Sequence, residues 1–206
     1  YDLWGQILAT KVLLQAYDAS GGTEVRDALV LALRCIDHRI DRAPLFNWGQ
    51  FRWFEALLSI AALYEETGEA WLVDLAVKLH AQGFDWPAFF GSPVGWPAAE
   101  PTPPGRWNYM SHVVNNAMAV KAPALWWRFS AAANDRTAPA AMIDQLLAHH
   151  GVATGMFTGD ECLAGHRPTH GTELCAVVEY AFSLEVLLSV LGNPALGDAL
   201  EQIIFN

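Results

Sequence analysis

Helical periodicity is the sequence feature that most constrains the fold of this chain. Apolar residues recur three and four positions apart along nearly its whole length, and the alternation typical of strands is hard to find. Two runs end in similar turns, Tyr17–Gly21 and Tyr64–Gly68, with the pattern Tyr-x-x-Ser/Thr-Gly, and another amphipathic run follows each turn. The pattern predicts an all-α protein built from helical hairpins.

The repeated hairpin also predicts how the helices are arranged. Each hairpin buries its apolar face only against its neighbours, as in an (α/α) toroid or barrel. The sequence begins within a helical pattern and ends at EQIIFN without a stop signal, so we expect residues 1–206 to be part of a single toroid catalytic domain, incomplete in this chain and truncated at both ends. Apolar spacing predicts helices at about Phe51–Tyr64, Trp71–His80, Tyr109–Ser130, Ala138–His150, Thr172–Leu191 and Pro194–Ile204.

Two stretches between these helices carry further expectations. The apolar face predicted for the second helix includes Leu31, Cys35 and Ile36, which places Cys35 in the core. From about Trp86 to Trp107 the chain is rich in Pro, Gly and Trp. A long irregular insertion in a helical fold is more often functional than decorative.

Composition excludes some classes of function. The chain has 206 residues, enough for one domain with a sizeable core, and a net charge of −10, which opposes binding to nucleic acid. Uninterrupted apolar runs stay shorter than the roughly 18 residues of a membrane span, so we expect no membrane partner. Three cysteines suggest free or metal-bound thiols and favour a cytoplasmic location.

The segment 151–185 is where chemistry is expected. It places acids and cysteines in a glycine-punctuated loop that runs into an apolar helix. Zinc accepts the ligand types of Glu173 and Cys175, but two residues apart on a regular helix they would point about 200° apart, so they must lie in the entry turn. With Thr172 as N-cap, Cys175 lies in the first turn, where the helix dipole favours a thiolate. The alternative is a core cysteine and a Glu that supports the cap.

Acids and imidazoles nearby are the other candidates. Asp160 and Glu161 lie in a glycine-bounded loop, which suits a general acid. The alternative is that they are ordinary surface acids, which are common in loops. His112 shares a helix face with amides one turn further on, Asn115 and Asn116, and such a face suits sugar hydroxyls. A His satisfied inside a helical core is the alternative.

Several residues have two open interpretations each. The polar stretch with His166, Arg167 and His170 lines the mouth of the site or is a solvated loop. Glu179, one turn beyond Cys175, reaches the site or is structural, and Cys162 is an extra metal ligand or a bystander. Five tryptophans either offer apolar faces to sugar C–H groups or pack in the core. They are Trp48, Trp53, Trp107, Trp126 and Trp127.

These motifs resemble a known family. GTELCAVVEY at 171–180, preceded by GMFTGDECLAG at 155–165, resembles the core of the β-L-arabinofuranosidases of glycoside hydrolase family 127. The resemblance extends to HVVNNAMAVKAPALWW at 112–127 and, more loosely, to the earlier hairpins. It is specific in the 151–185 block and weak elsewhere.

The resemblance implies a retaining glycoside hydrolase that acts on furanosides of an oligosaccharide or glycan, with β-L-arabinofuranosides expected. It implies that Glu173 and Cys175 bind zinc, that His112 binds substrate, and that Glu161 is the general acid/base. The spacing to Glu173 is shorter than in the family and Asp160 directly follows the glycine, so Asp160 stays an alternative. The family nucleophile is a zinc-held cysteine downstream, which we expect beyond this chain, so this fragment alone would be inactive.

Two other functions are open. One is a non-catalytic, carbohydrate-binding helical toroid, in which acids and aromatic rings bind a glycan and the cysteines are structural. The other is a generic zinc hydrolase with a metal-bound water, which would require His ligands at short helical spacing. The sequence has no HExxH pair, which argues against the zinc hydrolase.

Overall fold

Helices form almost all the regular structure of this protein, as the apolar spacing predicts. The computed structural model describes residues 2–92, 101–103 and 105–206. Within these ranges the only strands are two of two residues each. The all-α prediction is confirmed.

The chain forms two compact units, Tyr1–Phe84 and Asp85–Asn206. The toroidal arrangement and the assignment of the whole chain to one catalytic domain stay predictions. The first unit contains α1 (Trp4–Ser20), α2 (Thr23–Ile40), α3 (Asn47–Phe51), α4 (Glu55–Thr67) and α5 (Ala70–Gln82). The second contains α6 (Trp86–Gly91), α7 (Val113–Ala119), α8 (Ala122–Ser130), α9 (Ala133–His150), β1 (Gly159–Asp160), β2 (Cys162–Leu163), a 3-10 turn (Pro168–His170), α10 (Leu174–Leu191) and α11 (Ala195–Phe205).

Glycine ends the two repeated turns of the first unit. Gly21 and Gly68 adopt left-handed φ angles of 64° and 68°, and each donates its N–H to the carbonyl of the preceding Tyr17 or Tyr64. Only glycine adopts this conformation without a steric penalty from Cβ. The shared Tyr-x-x-Ser/Thr-Gly pattern therefore marks a helix that ends at a left-handed glycine in both places.

The core of the first unit uses a different face of α2 from the predicted one. Cys35 and Leu31 are exposed, so the prediction of a core cysteine is wrong. Because α2 carries apolar residues on more than one stripe, periodicity alone does not select which stripe packs. The stripe that is buried consists of Leu29, Leu33, Ile36 and Ile40.

Prolines and acids shift two predicted helix boundaries in the second unit. The predicted helix Tyr109–Ser130 is two helices, α7 and α8, and Pro123 lies in the first turn of α8, where its missing N–H is tolerated. The predicted start of α9 at Ala138 is also wrong, because the helix begins at Ala133. Asp135 then lies in its first turn, where a carboxylate is favoured by the helix dipole.

The Pro-, Gly- and Trp-rich insertion is only partly irregular. Its first residues form α6, whose N-cap Asp85 accepts a hydrogen bond from the N–H of Ala88 at 2.9 Å. Residues 93–100 and 104 of this insertion lie outside the described residues. In the described segment 101–103, the N–H of Thr102 donates a hydrogen bond to the Leu163 carbonyl at 2.9 Å, next to β2.

Helix α10 is the central element of the second unit, where it packs against α7, α8 and α11. Its buried face includes Tyr180, Leu184 and Leu187. It is also, in the part of the chain that the structure describes, the one helix long and apolar enough to span a membrane, with a mean hydropathy of 1.9 over 18 residues. Buried core helices of soluble proteins meet the same criterion, and the absence of a membrane partner stays a prediction.

Candidate functional site

A cavity of about 550 Å³ lies in the second unit, where the strand pair meets the segment around Trp107. Its volume is within the range of small-molecule sites. Three of the predicted site residues line it together: Asp160, Glu161 and His170. The full lining is Pro101, Thr102, Pro103, Gly105, Trp107, Asp160, Glu161, Cys162, Ala164 and His170.

Glu161 occupies the tip of a very tight turn. Asp160 pairs with Cys162 across β1 and β2, which leaves Glu161 alone between the strands with a φ of +66°. A non-glycine residue in the left-handed region is uncommon, and such strain persists where the surroundings hold it. Gly159 allows the close approach, because a Cβ there would lie 2.7 Å from the Cys162 carbonyl oxygen.

Residues distant in sequence hold this turn in place. The N–H of Val113 donates to the Glu161 carbonyl at 2.9 Å, and the N–H of Glu161 donates to Oε2 of Glu173 at 3.2 Å. The N–H of Leu163 donates to the Ser111 carbonyl at 2.9 Å. The turn is therefore anchored on both sides, to the start of α7 and to the start of α10.

The tautomer of His112 follows from its place at the start of α7. As the N-cap, its Nδ1 accepts the N–H of Asn115 at 3.2 Å, so the proton of the neutral ring lies on Nε2. That Nε2 is 3.6 Å from Oε2 of Glu161, with the His112 side chain 8% exposed and the Glu161 side chain 66% exposed. A buried imidazole N–H thus faces one oxygen of an accessible carboxylate.

His170 presents the opposite tautomer to the cavity. Its Nδ1 lies 2.6 Å from the Ala164 carbonyl oxygen, which only accepts hydrogen bonds, so the neutral ring carries its proton on Nδ1. Nε2 is then the basic nitrogen of the ring, able to accept a hydrogen bond from a ligand hydroxyl. His170 lines this cavity, and its predicted role at the mouth of a substrate site stays a prediction.

The neighbouring polar residues of this loop lie elsewhere. His166 is exposed, and its two ring nitrogens lie 3.0 Å from the carbonyl oxygens of Gly151 and Ala148, at the end of α9. Neither His166 nor the exposed Arg167 lines the cavity. His166 is thus positioned by helix-end carbonyls, the usual partners of basic side chains at a helix C-terminus.

His150 is a supporting residue that sequence reasoning missed. It is fully buried, and its Nδ1 accepts the Gly165 N–H at 2.8 Å, which anchors the loop after β2. Burial, with smaller contributions from His149 and His166, lowers the pKa of His150 to about 4. Its place as the last residue of a helix, before the glycine-punctuated loop, was the available signal.

The two amides predicted to bind substrate are fully buried in α7. Nδ2 of Asn115 donates to the Tyr109 carbonyl at 2.9 Å, and Nδ2 of Asn116 donates to the carbonyls of Met110 and His112 at 2.8 Å each. Neither lines the cavity. Their observed contacts hold the segment before α7, and a role in substrate binding stays a prediction.

Glu173 and Cys175 flank the start of α10, but the N-cap is Glu173 and not the predicted Thr172. Thr172 bridges to Gly159 in a strand-like pairing and Glu173 N–H donates to the Gly159 carbonyl, so the helix begins later. Cys175 lies in the first turn, as predicted, and is exposed. Among the described residues no three His, Cys, Asp or Glu side chains converge as a metal site. These two side chains alone do not complete the four ligands of zinc.

The remaining candidates are dispersed. Oε2 of Glu179 lies 4.0 Å from Nζ of the fully buried Lys121, at the packing of α7 and α8 with α10, and Glu179 is not in the cavity lining. Cys162 is half-buried in the lining, where its sulfur accepts a hydrogen bond from Ser111 Oγ at 3.7 Å. Of the five tryptophans considered, Trp107 lines the cavity; it is 41% exposed and packs edge-on against His112.

Comparison with protein-family models, curated proteins and solved structures finds no match to this chain. The resemblance to β-L-arabinofuranosidases therefore stays a prediction based on the sequence motifs.

Proposed function

We propose that this chain carries the acid/base half of a retaining glycoside hydrolase site, with Glu161 as the general acid/base. The observation that carries the proposal is the pairing of Glu161 with the buried His112 Nε2–H at the edge of a ligand-sized cavity. Furanosides, and β-L-arabinofuranosides in particular, are the substrates suggested by the sequence motifs. The expected partner is an oligosaccharide or glycan.

Geometry favours Glu161 over Asp160. The backbone of Glu161 is held at both its N–H and its carbonyl, and one carboxylate oxygen faces His112. The second oxygen is then available to give a proton to the leaving oxygen of a glycoside and later to take one from water. Asp160 lines the same cavity but has no comparable side-chain partner among the described residues.

Other cavity residues fit a sugar ligand. The exposed face of Trp107 offers apolar surface to sugar C–H groups, and the Nε2 of His170 accepts a hydrogen bond from a hydroxyl. His112 is a positioning residue, because it acts on Glu161. Together these groups would bind a sugar and hold its leaving oxygen near Glu161.

A retaining reaction also requires a nucleophile. The sequence resemblance supplies a zinc-held cysteine downstream of α10, and Glu173 and Cys175 would be its companion ligands. These two residues do not make a zinc site by themselves, because a zinc site needs about four ligands. Zinc binding is a separate proposal, checked by metal analysis of Glu173→Ala and Cys175→Ser in the full-length protein.

The acid/base proposal is tested in the full-length protein, which would contain the nucleophile, by comparing Glu161→Gln with the neighbouring Asp160→Asn. General acid catalysis contributes about 10²–10⁴ in rate, so Glu161→Gln slows alkyl furanosides by that order. Nitrophenyl furanosides, which need little protonation of the leaving group, react at the first step with a much smaller loss. Azide restores turnover of these aryl substrates where deglycosylation is limiting.

The opposite pattern overturns the assignment. If Asp160→Asn shows the leaving-group dependence and azide rescue while Glu161→Gln behaves as wild type, the acid/base is Asp160. Glycan binding by the full-length protein without release of sugar would instead support the carbohydrate-binding alternative, which the exposed Trp107 in the cavity wall also fits.

A further inference from the structure

The acids and the imidazole that line the cavity of the second unit all present hydrogen-bond acceptors to a ligand. Asp160 and Glu161 each contribute a carboxylate, which only accepts hydrogen bonds when ionised. Nε2 of His170 is also an acceptor, because the proton of the neutral ring lies on Nδ1. The cavity therefore favours a ligand that is rich in hydrogen-bond donors.

Basic side chains do not balance these acids in the cavity wall. In the part of the chain that the structure describes, no lysine or arginine lines the cavity. Arg106 and Arg167, the bases nearest in sequence, are exposed and lie outside the lining. Residues 93–100 and 104, outside the described part, contain no Lys, Arg or His. A positive group in this cavity therefore has to come from a ligand.

The two carboxylates differ in what the protein already provides for them. Glu161 faces the Nε2–H of His112, which balances part of its charge. Asp160 pairs with Cys162 through its backbone, while its exposed side chain makes no hydrogen bond or ion pair with the described residues. The carboxylate of Asp160 is therefore available to a ligand.

Trp107 adds an aromatic ring to the same wall. It lines the cavity and is 41% exposed. The face of an indole ring carries partial negative charge and attracts a cation within about 6 Å of its centre. A carboxylate and an indole in one cavity both favour an ammonium ion over a neutral or an anionic group.

The size of the cavity and the charge of the chain act in the same direction. A volume of about 550 Å³ accommodates a sugar-sized ligand. The net charge of −10 attracts cations and repels anions. Sugar hydroxyls alone would donate hydrogen bonds but leave the charge of Asp160 unbalanced. A primary ammonium group supplies three N–H donors and the opposite charge together.

We propose that this cavity binds a sugar that carries a primary ammonium group, with Asp160 as the ion-pair partner and Trp107 as the aromatic partner of the ammonium. Amino sugars and glycosides with an amine-bearing aglycone share this chemistry. The sugar part of the ligand rests on the proposed function, whereas the ammonium part rests on the lining of the cavity. Asp160 is then a specificity-determining residue and not the acid/base.

Three glycosides that differ only in the end group of the aglycone measure this preference. They are 2-aminoethyl, 2-hydroxyethyl and carboxymethyl β-L-arabinofuranoside. Glucosamine and glucose form a second pair that does not depend on the furanoside assignment. Each compound is titrated into the full chain at about pH 6.5, where the amines are protonated. Dissociation constants come from the ¹H–¹⁵N shifts of the amides of Gly159, Asp160 and Cys162, so no turnover and no nucleophile are needed.

We expect the aminoethyl glycoside to bind about three- to tenfold more tightly than the hydroxyethyl glycoside, from one exposed ion pair and one cation–π contact. The carboxymethyl glycoside binds most weakly, and glucosamine binds more tightly than glucose. Added sodium chloride reduces these differences, because it screens the ion pair.

Two variants assign the preference to named side chains. Asp160→Asn keeps the size of the side chain and should remove most of the preference for the ammonium group. The matched control Asp198→Asn removes an exposed carboxylate of α11 that does not line the cavity, and it should leave the preference unchanged. Trp107→Leu keeps apolar surface and should reduce the preference by about two- to threefold, the share of the cation–π contact.

The proposal is overturned if the ammonium compounds bind no more tightly than their hydroxyl counterparts. A preference that persists in Asp160→Asn, or that falls equally in Asp198→Asn, also overturns it. Equal, saturable binding of the three arabinofuranosides would contradict the ammonium site while supporting the proposed function. Selective binding of glucosamine without binding of any arabinofuranoside would support the ammonium site and contradict the expected furanoside substrate.

Discussion

The turns that end the helices of the first unit and the turn that presents Glu161 use the same left-handed backbone region for different reasons. Gly21 and Gly68, at φ +64° and +68°, are held by hydrogen bonds to residues four positions earlier. Glu161, at φ +66°, is held by Val113 and Glu173, which are 48 and 12 positions away.

The difference teaches where each conformation gets its stability. A local turn has one short-range hydrogen bond, so it uses glycine, which adopts the conformation without steric cost. The Glu161 turn keeps a glutamate at the same φ because tertiary hydrogen bonds offset the strain. Structure near Glu161 should therefore depend on distant residues, whereas the helix ends should depend on their own sequence.

The largest expected effect is acid sensitivity of the loop that follows β2. His150 must be neutral to accept the Gly165 N–H, and burial lowers its pKa from 6.5 to about 4. The unfolded state binds the proton more tightly than the folded state does. The contribution of neutral His150 to stability is therefore fully present above about pH 6.5 and is lost as the pH falls toward 4. This difference in the pKa of His150 between the unfolded and folded states corresponds to about 3 kcal/mol of the free energy of unfolding.

Urea denaturation across this pH range measures that contribution, and hydrogen exchange at Gly165 locates it. His150→Asn removes the titrating group and should flatten the dependence between pH 6.5 and 4. An unchanged pH dependence in this variant would assign the acid sensitivity to other groups.

A smaller effect is expected from Gly159→Ala. The added Cβ would lie 2.7 Å from the Cys162 carbonyl oxygen and 2.8 Å from Val113 Cγ2, so the backbone of the turn must shift. Overpacking of this kind lowers the free energy of unfolding by about 1–3 kcal/mol. Denaturation is compared with that of Gly91→Ala, in the same unit, where the added Cβ would have no atom within 4 Å. Equal stability of the two variants would contradict the dependence on distant residues.

The smallest effect concerns the local turns. Gly21→Ala forces alanine into the left-handed region and should lower the free energy of unfolding by about 1 kcal/mol. Gly5→Ala, inside α1 with open space around it, should raise it by about 0.5–1 kcal/mol. Thermal or urea denaturation measures both. Effects of the same sign would show that backbone conformation does not decide the outcome at Gly21.

Prediction from the sequence was most accurate where the signals were local. The repeated turns, the helical class and the placement of Cys175 in the first turn of a helix all follow from short-range patterns. The helix boundaries around Pro123 and Asp135 were missed, although proline and a first-turn acid were visible signals. The exposure of Cys35 was missed because α2 carries more than one apolar stripe, and packing against neighbouring helices selects among them.

The candidate site also has features that follow from local sequence and features that depend on packing. Its acids and His170 lie in one glycine-rich loop, so the sequence placed them near one another, and all three line the same cavity; their roles stay predictions. Asn115 and Asn116 were equally plausible as inward-facing polar groups, yet their amides bond to the backbone before α7. No spacing rule distinguishes an amide that faces a ligand from one that faces a carbonyl.

The sequence by itself determined the helical class, the glycine-ended turns and the loop that carries the acids, since these depend on propensity and short-range hydrogen bonds. Only the tertiary structure decided that His112 faces Glu161 and that His150 anchors the loop. These contacts join residues 15 or more positions apart. Their formation depends on how whole elements pack, which no local pattern encodes.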